Sequence, residues 1–382
     1  MDILGLLKER IPEPLKPSLR LALKSLRSLK RNPIKEFRII KRQEELLREN
    51  YSPDIENLII FLTPGYDVVN GGILSISSIA RESMKLKHLH GAEVLLCTLP
   101  GDPPLLKYTK FNNQNYIFKL SQILFYFQKL QNLMIHIPEY SIDKFIRNIS
   151  AQEYARLRDI KNIHFNIMIQ NIKLLSSVEG IERLKKLGKV TCTTAHERYS
   201  TLEIRKRLGV PLHKLSTFVS PEQYIRKSYA EKENLMIVSH DSHPRKIEIL
   251  GLIHKQLPQI KIQIIKNLTY ENYKKVISQA KWALTFGEGL DGYFVETIFS
   301  GGISFAVWNP DFFTEDFRSL RTVYESYDSL VKNICLDLKE LDNSEKYTAY
   351  QAEQYNLCRK YYDYRAYIKN LELFYKGEYT YR

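Results

Sequence analysis

Cysteine is scarce in this chain. The four present, Cys97, Cys192, Cys335 and Cys358, stand far apart and form no Cys-x-x-Cys pair. That excludes a disulfide framework and a zinc site of the finger type, and it fits a reducing compartment. Long apolar runs are missing too: none approaches the roughly twenty residues that cross a bilayer. The opening MDILGLLKERIPEP lacks the charged-then-apolar order of a secretion signal. The chain is therefore expected in the cytoplasm. Acidic residues are outnumbered, 43 Asp and Glu against 57 Lys and Arg, which leaves a net charge of +14. An excess of that size points to an anionic partner: a phosphorylated ligand, a membrane surface or nucleic acid. Nucleic acid is disfavoured, because no zinc finger, RRM aromatic signature or basic recognition helix is found.

What is present is an ordinary soluble composition, 44% hydrophobic and 26% charged, which excludes a disordered chain. At 382 residues the chain exceeds what one core usually supports, so two domains are expected. Residues 1–50 differ from the rest, with thirteen Lys or Arg against seven acids. Leu15, Leu19, Ala22, Leu23, Leu26 and Leu29 share one helical stripe, and Lys16, Arg20, Lys24, Arg27 and Arg31 a neighbouring one. Such a segment either lies on an anionic membrane, here the inner face of the plasma membrane, or packs on the protein with a solvated basic face.

From Asn57 apolar strands alternate with amphipathic helices. Strands are expected at 57–62, 92–99, 132–138, 163–169 and 188–195, with helices at 180–188 and 198–209 each ended by a left-handed glycine. A second series follows a junction near residues 216–234. It has strands at 235–240, 260–266, 282–286 and 303–308, and helices at 244–257, 270–280 and 293–302, with Pro244 at the first helical position. Alternation of this kind implies parallel sheets covered on both faces, an α/β, doubly wound architecture. The expected organisation is a basic segment 1–50, one Rossmann-like unit at 51–220, a second at 221–340, and C-terminal helices at 341–382 crossing back to the first. The last thirty-six residues contain ten tyrosines. They read as a helical pair packed across both units or, less simply, as an aromatic sugar-binding surface.

Two such sheets facing each other leave a cleft at the carboxyl ends of their strands. Four polar clusters sit just after strands. Gly71 and Gly72 precede a helix, where free amides favour phosphate. His196 opens a second cluster, placed to hydrogen-bond a sugar or phosphate. In SHDSHPRK, Arg245 and Lys246 put two cations in the first helical turn, against the helix dipole, a misfit that a bound pyrophosphate relieves; His240 adds a donor. The fourth is GEGLDG, 287–292, with Glu288 in the loop and Glu296 inside the following apolar helix. A carboxylate accepts two protons from a vicinal diol, so Glu296 suits a ribose and Glu288 a second sugar. The interval alone proves nothing, since Glu36–Glu44 and Glu345–Glu353 share it on charged helices.

The stretch from Glu288 through Glu296 into TIFSGGISFAV resembles the signature of the retaining glycosyltransferase family four. Lys246 and the Gly71–Gly72 loop match two further family features across residues 57–310, whereas Ser239-His240 stands where the family has Gly-Arg. The resemblance implies the GT-B fold. It also implies transfer of a sugar from a nucleotide diphosphate sugar to a glycan or lipid-linked glycan hydroxyl, with retained configuration, as in polysaccharide or lipopolysaccharide biosynthesis. No metal or other cofactor is expected; no Asp-x-Asp, the metal signature of the other major glycosyltransferase fold, occurs. Without a divalent ion the diphosphate needs fixed cations and helix amides. Arg245, Lys246, His240 and the backbone of Gly289, Leu290 and Asp291 are assigned to it, Glu296 to the nucleoside, and Glu288 with His196 to the reacting sugar. Two rivals stay open. One is a nucleotide-sugar epimerase of the same fold; the other is a non-catalytic basic adaptor on membranes.

Overall fold

The computed structural model describes residues 32–382, apart from 69, 111–113, 176, 196 and 217–218. The basic stripes at 15–31 and His196 lie outside the described residues.

The first sheet has seven strands: β1 Asn57–Thr63, β2 Glu93–Thr98, β3 Ile117–Lys119, β4 Asn132–Pro138, β5 Asn162–Ile169, β6 Lys189–Thr194 and β7 Leu212–Lys214. Their order is β3-β2-β1-β4-β5-β6-β7, and every pairing is parallel. The second has five: β8 Glu233–Val238, β9 Lys261–Ile264, β10 Ala280–Leu284, β11 Ile303–Val307 and β12 Val323–Tyr324. It is also all parallel, in the order β12-β11-β10-β8-β9. The near-continuous apolar runs in β1, β2 and β10 are what a sheet buried on both faces requires, and they are buried almost throughout. Separate apolar clusters cover the two faces of each sheet, so both are doubly wound as the alternation implied.

Strand order reverses between β1 and β4 in the first sheet and between β8 and β10 in the second. Ligands of such folds bind outside the strand ends at these switch points. Helix Gly71–Lys85 follows β1 directly. Its cap, Asn70, accepts from the amides of Gly72 and Ile73.

Two details depart from the sequence expectations. The helix after β8 starts at Lys246, with Arg245 as its cap, so Pro244 lies in the preceding turn. Gly209 ends its helix in the left-handed region, φ 60, but Gly188 is not among the left-handed glycines. A Cβ at Gly188 would stand 2.4 Å from the Ile163 carbonyl oxygen. Close passage of β5, not a cap, is what requires glycine there.

The C-terminal residues form helices Tyr327–Leu341, Ser344–Tyr361 and Tyr364–Tyr375. The last of these lies on the first sheet. Tyr364 donates to Glu82 at 2.7 Å, Tyr375 bonds Ser83 at 2.6 Å, and the His213 ring bonds the Asn370 carbonyl at 2.7 Å. Tyr381 then exchanges two backbone hydrogen bonds with Leu212 of β7. The four cysteines are buried free thiols. No helix among the described residues is long and apolar enough to cross a membrane.

Candidate active site

A cleft of about 1280 Å³ runs between the two sheets. Loops after β1, β4, β5 and β6 form one wall, and loops after β8, β9, β10 and β11 the other.

The loop after β10 is shaped by glycine. Gly287 and Gly289 adopt φ 84 and 81, values that residues with a Cβ rarely take. At Gly289 a Cβ would also lie 2.5 Å from the Phe313 ring. Thr285 donates to the Gly289 carbonyl at 2.9 Å. Gly289 thus packs away from the cleft, and its tight turn carries Glu288 and Leu290 to the lining. Asp291 caps helix Gly292–Phe299, accepting from the Phe294 amide at 3.0 Å. Its burial, with Asp241, Glu288 and Glu296 nearby, raises its pKa well above the ordinary value. Glu288 is raised as well, first by desolvation and then by the Asp241 charge.

Glu296 projects from that helix into the cleft wall and is 6% exposed. Burial lifts its pKa to about 7. The hydroxyls of Tyr273, Tyr224 and Tyr270 face the carboxylate and act in the opposite direction. Tyr224 and Tyr270 are bonded to each other at 2.9 Å. One carboxylate oxygen, Oε2, is buried with no hydrogen-bond partner among the described residues. The Tyr273 hydroxyl is likewise buried without a close partner, and it is the first of the hydroxyls that lower the Glu296 pKa, so it is a donor already at hand for this carboxylate.

Other sequence candidates fall as follows. Gly71, Gly72 and His240 line the cleft. At Gly72 a Cβ would stand 2.7 Å from the Gln170 side-chain oxygen, so a larger residue there would displace that side chain. Arg245 and Lys246 are not among the lining residues. The Arg245 guanidinium is bound to Glu248 at 2.8 Å and to Asp328, which answers the dipole misfit without a ligand. Lys246 donates to the carbonyls of Ser239 and Asp241, at 2.5 and 2.8 Å, and so fixes the loop after β8. The expected cationic grip is therefore not built from these two residues.

Sequence reading missed several cleft residues. Glu139 follows β4 at the switch point and is 1% exposed. It accepts from the Asn171 amide at 2.9 Å, and burial raises its pKa to about 7, with Glu288 across the cleft adding to the rise. An acid directly after a Pro-ended strand was the available signal. Lys266, beyond β9, is the lysine of the lining, which otherwise carries the acids Glu139, Asp241, Glu288, Asp291 and Glu296. Tyr270 and Tyr273, in the first turn after β9, were hidden because aromatic residues there read as core. Among the described residues no group of three or more His, Cys, Asp or Glu is placed to hold a metal ion.

No protein-family profile matches the chain, and no curated protein is similar to it in sequence. Solved structures are similar in fold. Sucrose-phosphate synthase from Thermosynechococcus elongatus superposes with a TM-score of 0.54 at 9% identity, covering 84% of this chain and 99% of that one. HepE from Anabaena, solved with UDP and glucose, gives 0.55 at 8% identity, covering 84% and 100%. The fold is GT-B. OtsA, solved without ligand, adds a third GT-B likeness at a TM-score of 0.50 and 11% identity, over 84% of this chain and 99% of that one. In GT-B terms, the seven-stranded sheet belongs to the N-terminal lobe and the five-stranded sheet to the C-terminal lobe. Glu288 and Glu296 belong to the C-terminal lobe's wall.

Proposed function

We propose that this chain is a glycosyltransferase that takes a sugar from a nucleotide diphosphate sugar and delivers it to a hydroxyl of a glycan or lipid-linked glycan. The observation that carries the reading is Glu296, a carboxylate set in the wall of a GT-B cleft. A ribose diol in the cleft donates to the exposed edge of this carboxylate. HepE, solved with UDP and glucose, supports the same ligand class here. The diphosphate then lies over the start of helix Gly292–Phe299, where the amides of Gly292 and Tyr293 and the positive end of the helix dipole face it. Lys266 supplies the cation. Glu288, on the neighbouring tight loop, holds hydroxyls of the transferred sugar. The acceptor attacks from the side of the leaving diphosphate, whose oxygen takes the proton, so configuration is retained without a protein nucleophile or a metal ion.

The test is calorimetric titration of UDP and related diphosphates into the protein, followed by Glu296→Ala. The variant is expected to weaken UDP binding at least tenfold. Unaltered binding refutes the placement of ribose on Glu296.

A second reading is favoured by one observation. Glu139 and Glu288 belong to opposite walls, and each has a raised pKa. Facing acids that burial makes more reluctant to ionise suit elimination and re-addition at a sugar ring, the chemistry of a nucleotide-sugar epimerase. Turnover that requires an added acceptor glycan supports the transferase; turnover of the nucleotide sugar alone, returning an epimer, supports the epimerase.

A further inference from the structure

Beside the cleft lies a second cavity of about 450 Å³, within the range of small-ligand sites. Its character is opposite to that of the cleft. Three cations from separate elements line it, and among the described residues no carboxylate does. Arg198 comes from the turn after β6, Lys214 from the end of β7, and Lys360 from the end of helix Ser344–Tyr361. The Arg198 guanidinium donates to two neutral oxygens, the carbonyls of Pro310 and Phe313. Its Nε is buried with no partner among the described residues. Burial pulls the Arg198 pKa down to about 10, the direction expected of a charge that water no longer compensates. Lys360 is held by Asp316 at 2.8 Å, on the rim and partly exposed. The remaining lining includes the rings of Phe317 and Tyr361.

The cavity adjoins the cleft, with Ala195, Leu290, Phe312 and Tyr362 lining both. An occupant with one end among the cations has its other end beside Leu290, next to Glu288. The side cavity offers cations together with aromatic residues for a pyranose ring.

We propose that the side cavity is an acceptor subsite for a saccharide bearing an oxyanion, either phosphate or carboxylate, with Lys214 and Lys360 as its recognition groups. This rests on the transferase reading above. Arg198 serves to hold the Pro310–Phe313 loop that forms one side.

The test uses glucose 6-phosphate, glucuronate and glucose as probes in calorimetric titrations of the full chain, with and without saturating UDP. An anionic probe is expected to bind at least tenfold more tightly than glucose, to resist displacement by UDP, and to weaken at 300 mM salt. Which of the two anions binds better identifies the group. The double variant Lys214→Gln/Lys360→Gln should lose at least tenfold affinity for that probe, while Lys214→Arg/Lys360→Arg retains it; a thermal melt confirms folding of both. Equal binding of glucose, displacement by UDP, or full affinity in the Gln variant overturns the subsite. If UDP itself fails to bind while lysine-dependent anion binding persists, the donor reading falls and the acceptor role falls with it, leaving only an anionic-sugar site.

Discussion

Glu296 gives the sharpest quantitative expectation. Its carboxyl group is moved from an ordinary 4.5 to about 7, and each pH unit corresponds to about 1.4 kcal/mol. The folded state therefore binds more protons than the unfolded chain between those values, and stability from this group falls as pH rises through the window. The loss, about 3 kcal/mol, is complete above the folded pKa and absent below about pH 4.5. Glu296→Gln keeps the shape and removes the titration, and the hydroxyls of Tyr224, Tyr270 and Tyr273 can still donate to the amide oxygen. Relative to wild type, the variant should gain 1–3 kcal/mol (on the order of) in unfolding free energy on going from pH 5 to pH 8. Urea denaturation at the two pH values measures this, and the contribution of Glu139 cancels between the two proteins. A difference that does not change with pH refutes the buried, raised carboxyl. At pH 8 saturating UDP should stabilise wild type more than the variant, because the diol compensates only the carboxylate.

Glu288→Ala should lower turnover with little change in UDP affinity, as read by steady-state kinetics beside calorimetry. Gly289→Ala combines a left-handed φ with a Cβ 2.5 Å from Phe313; it should destabilise the fold by more than about 1 kcal/mol and lower UDP affinity. Leu371→Ala removes a fully buried side chain from the inner face of the last helix and should lose about 2–5 kcal/mol in urea unfolding. Changing Lys16, Arg20, Lys24 and Arg27 to Gln should release the protein from anionic liposomes in flotation assays while UDP binding persists; unchanged flotation removes the membrane role.

The parallel sheets were legible because buried strands such as NLIIFL and AEVLLCTL carry their own signal, and glycine-rich loops after strands marked the cleft. Glu288 and Glu296 stood out since an acid in an apolar helix demands a polar neighbour. Arg245 misled for a related reason. A cation at a helix start asks for an anion, but the answer came from Asp328, eighty-three residues away, together with the local Glu248. Pairings across that separation leave no trace in local pattern. Glu139 left only a faint signal, an acid after a Pro-ended strand, and gains its role where the two sheets meet; the tyrosines around Glu296 look ordinary within their own segments and gain theirs only when those segments pack beside the helix that carries it. The side cavity likewise depends on three elements brought together by the return of the C-terminal chain.

That return has a consequence for how the halves are joined. The polypeptide passes between the lobes twice, once after β7 and again near Tyr362, and its final segment is stitched to the first sheet through Leu212 and Tyr381. Two crossings tie the lobes at two points of the chain instead of one. A fusion at the C-terminus therefore loads the first lobe, although residues just upstream pack on the second. Truncation before Tyr364 would uncover Ser83 and the helix beneath it while sparing the five-stranded sheet.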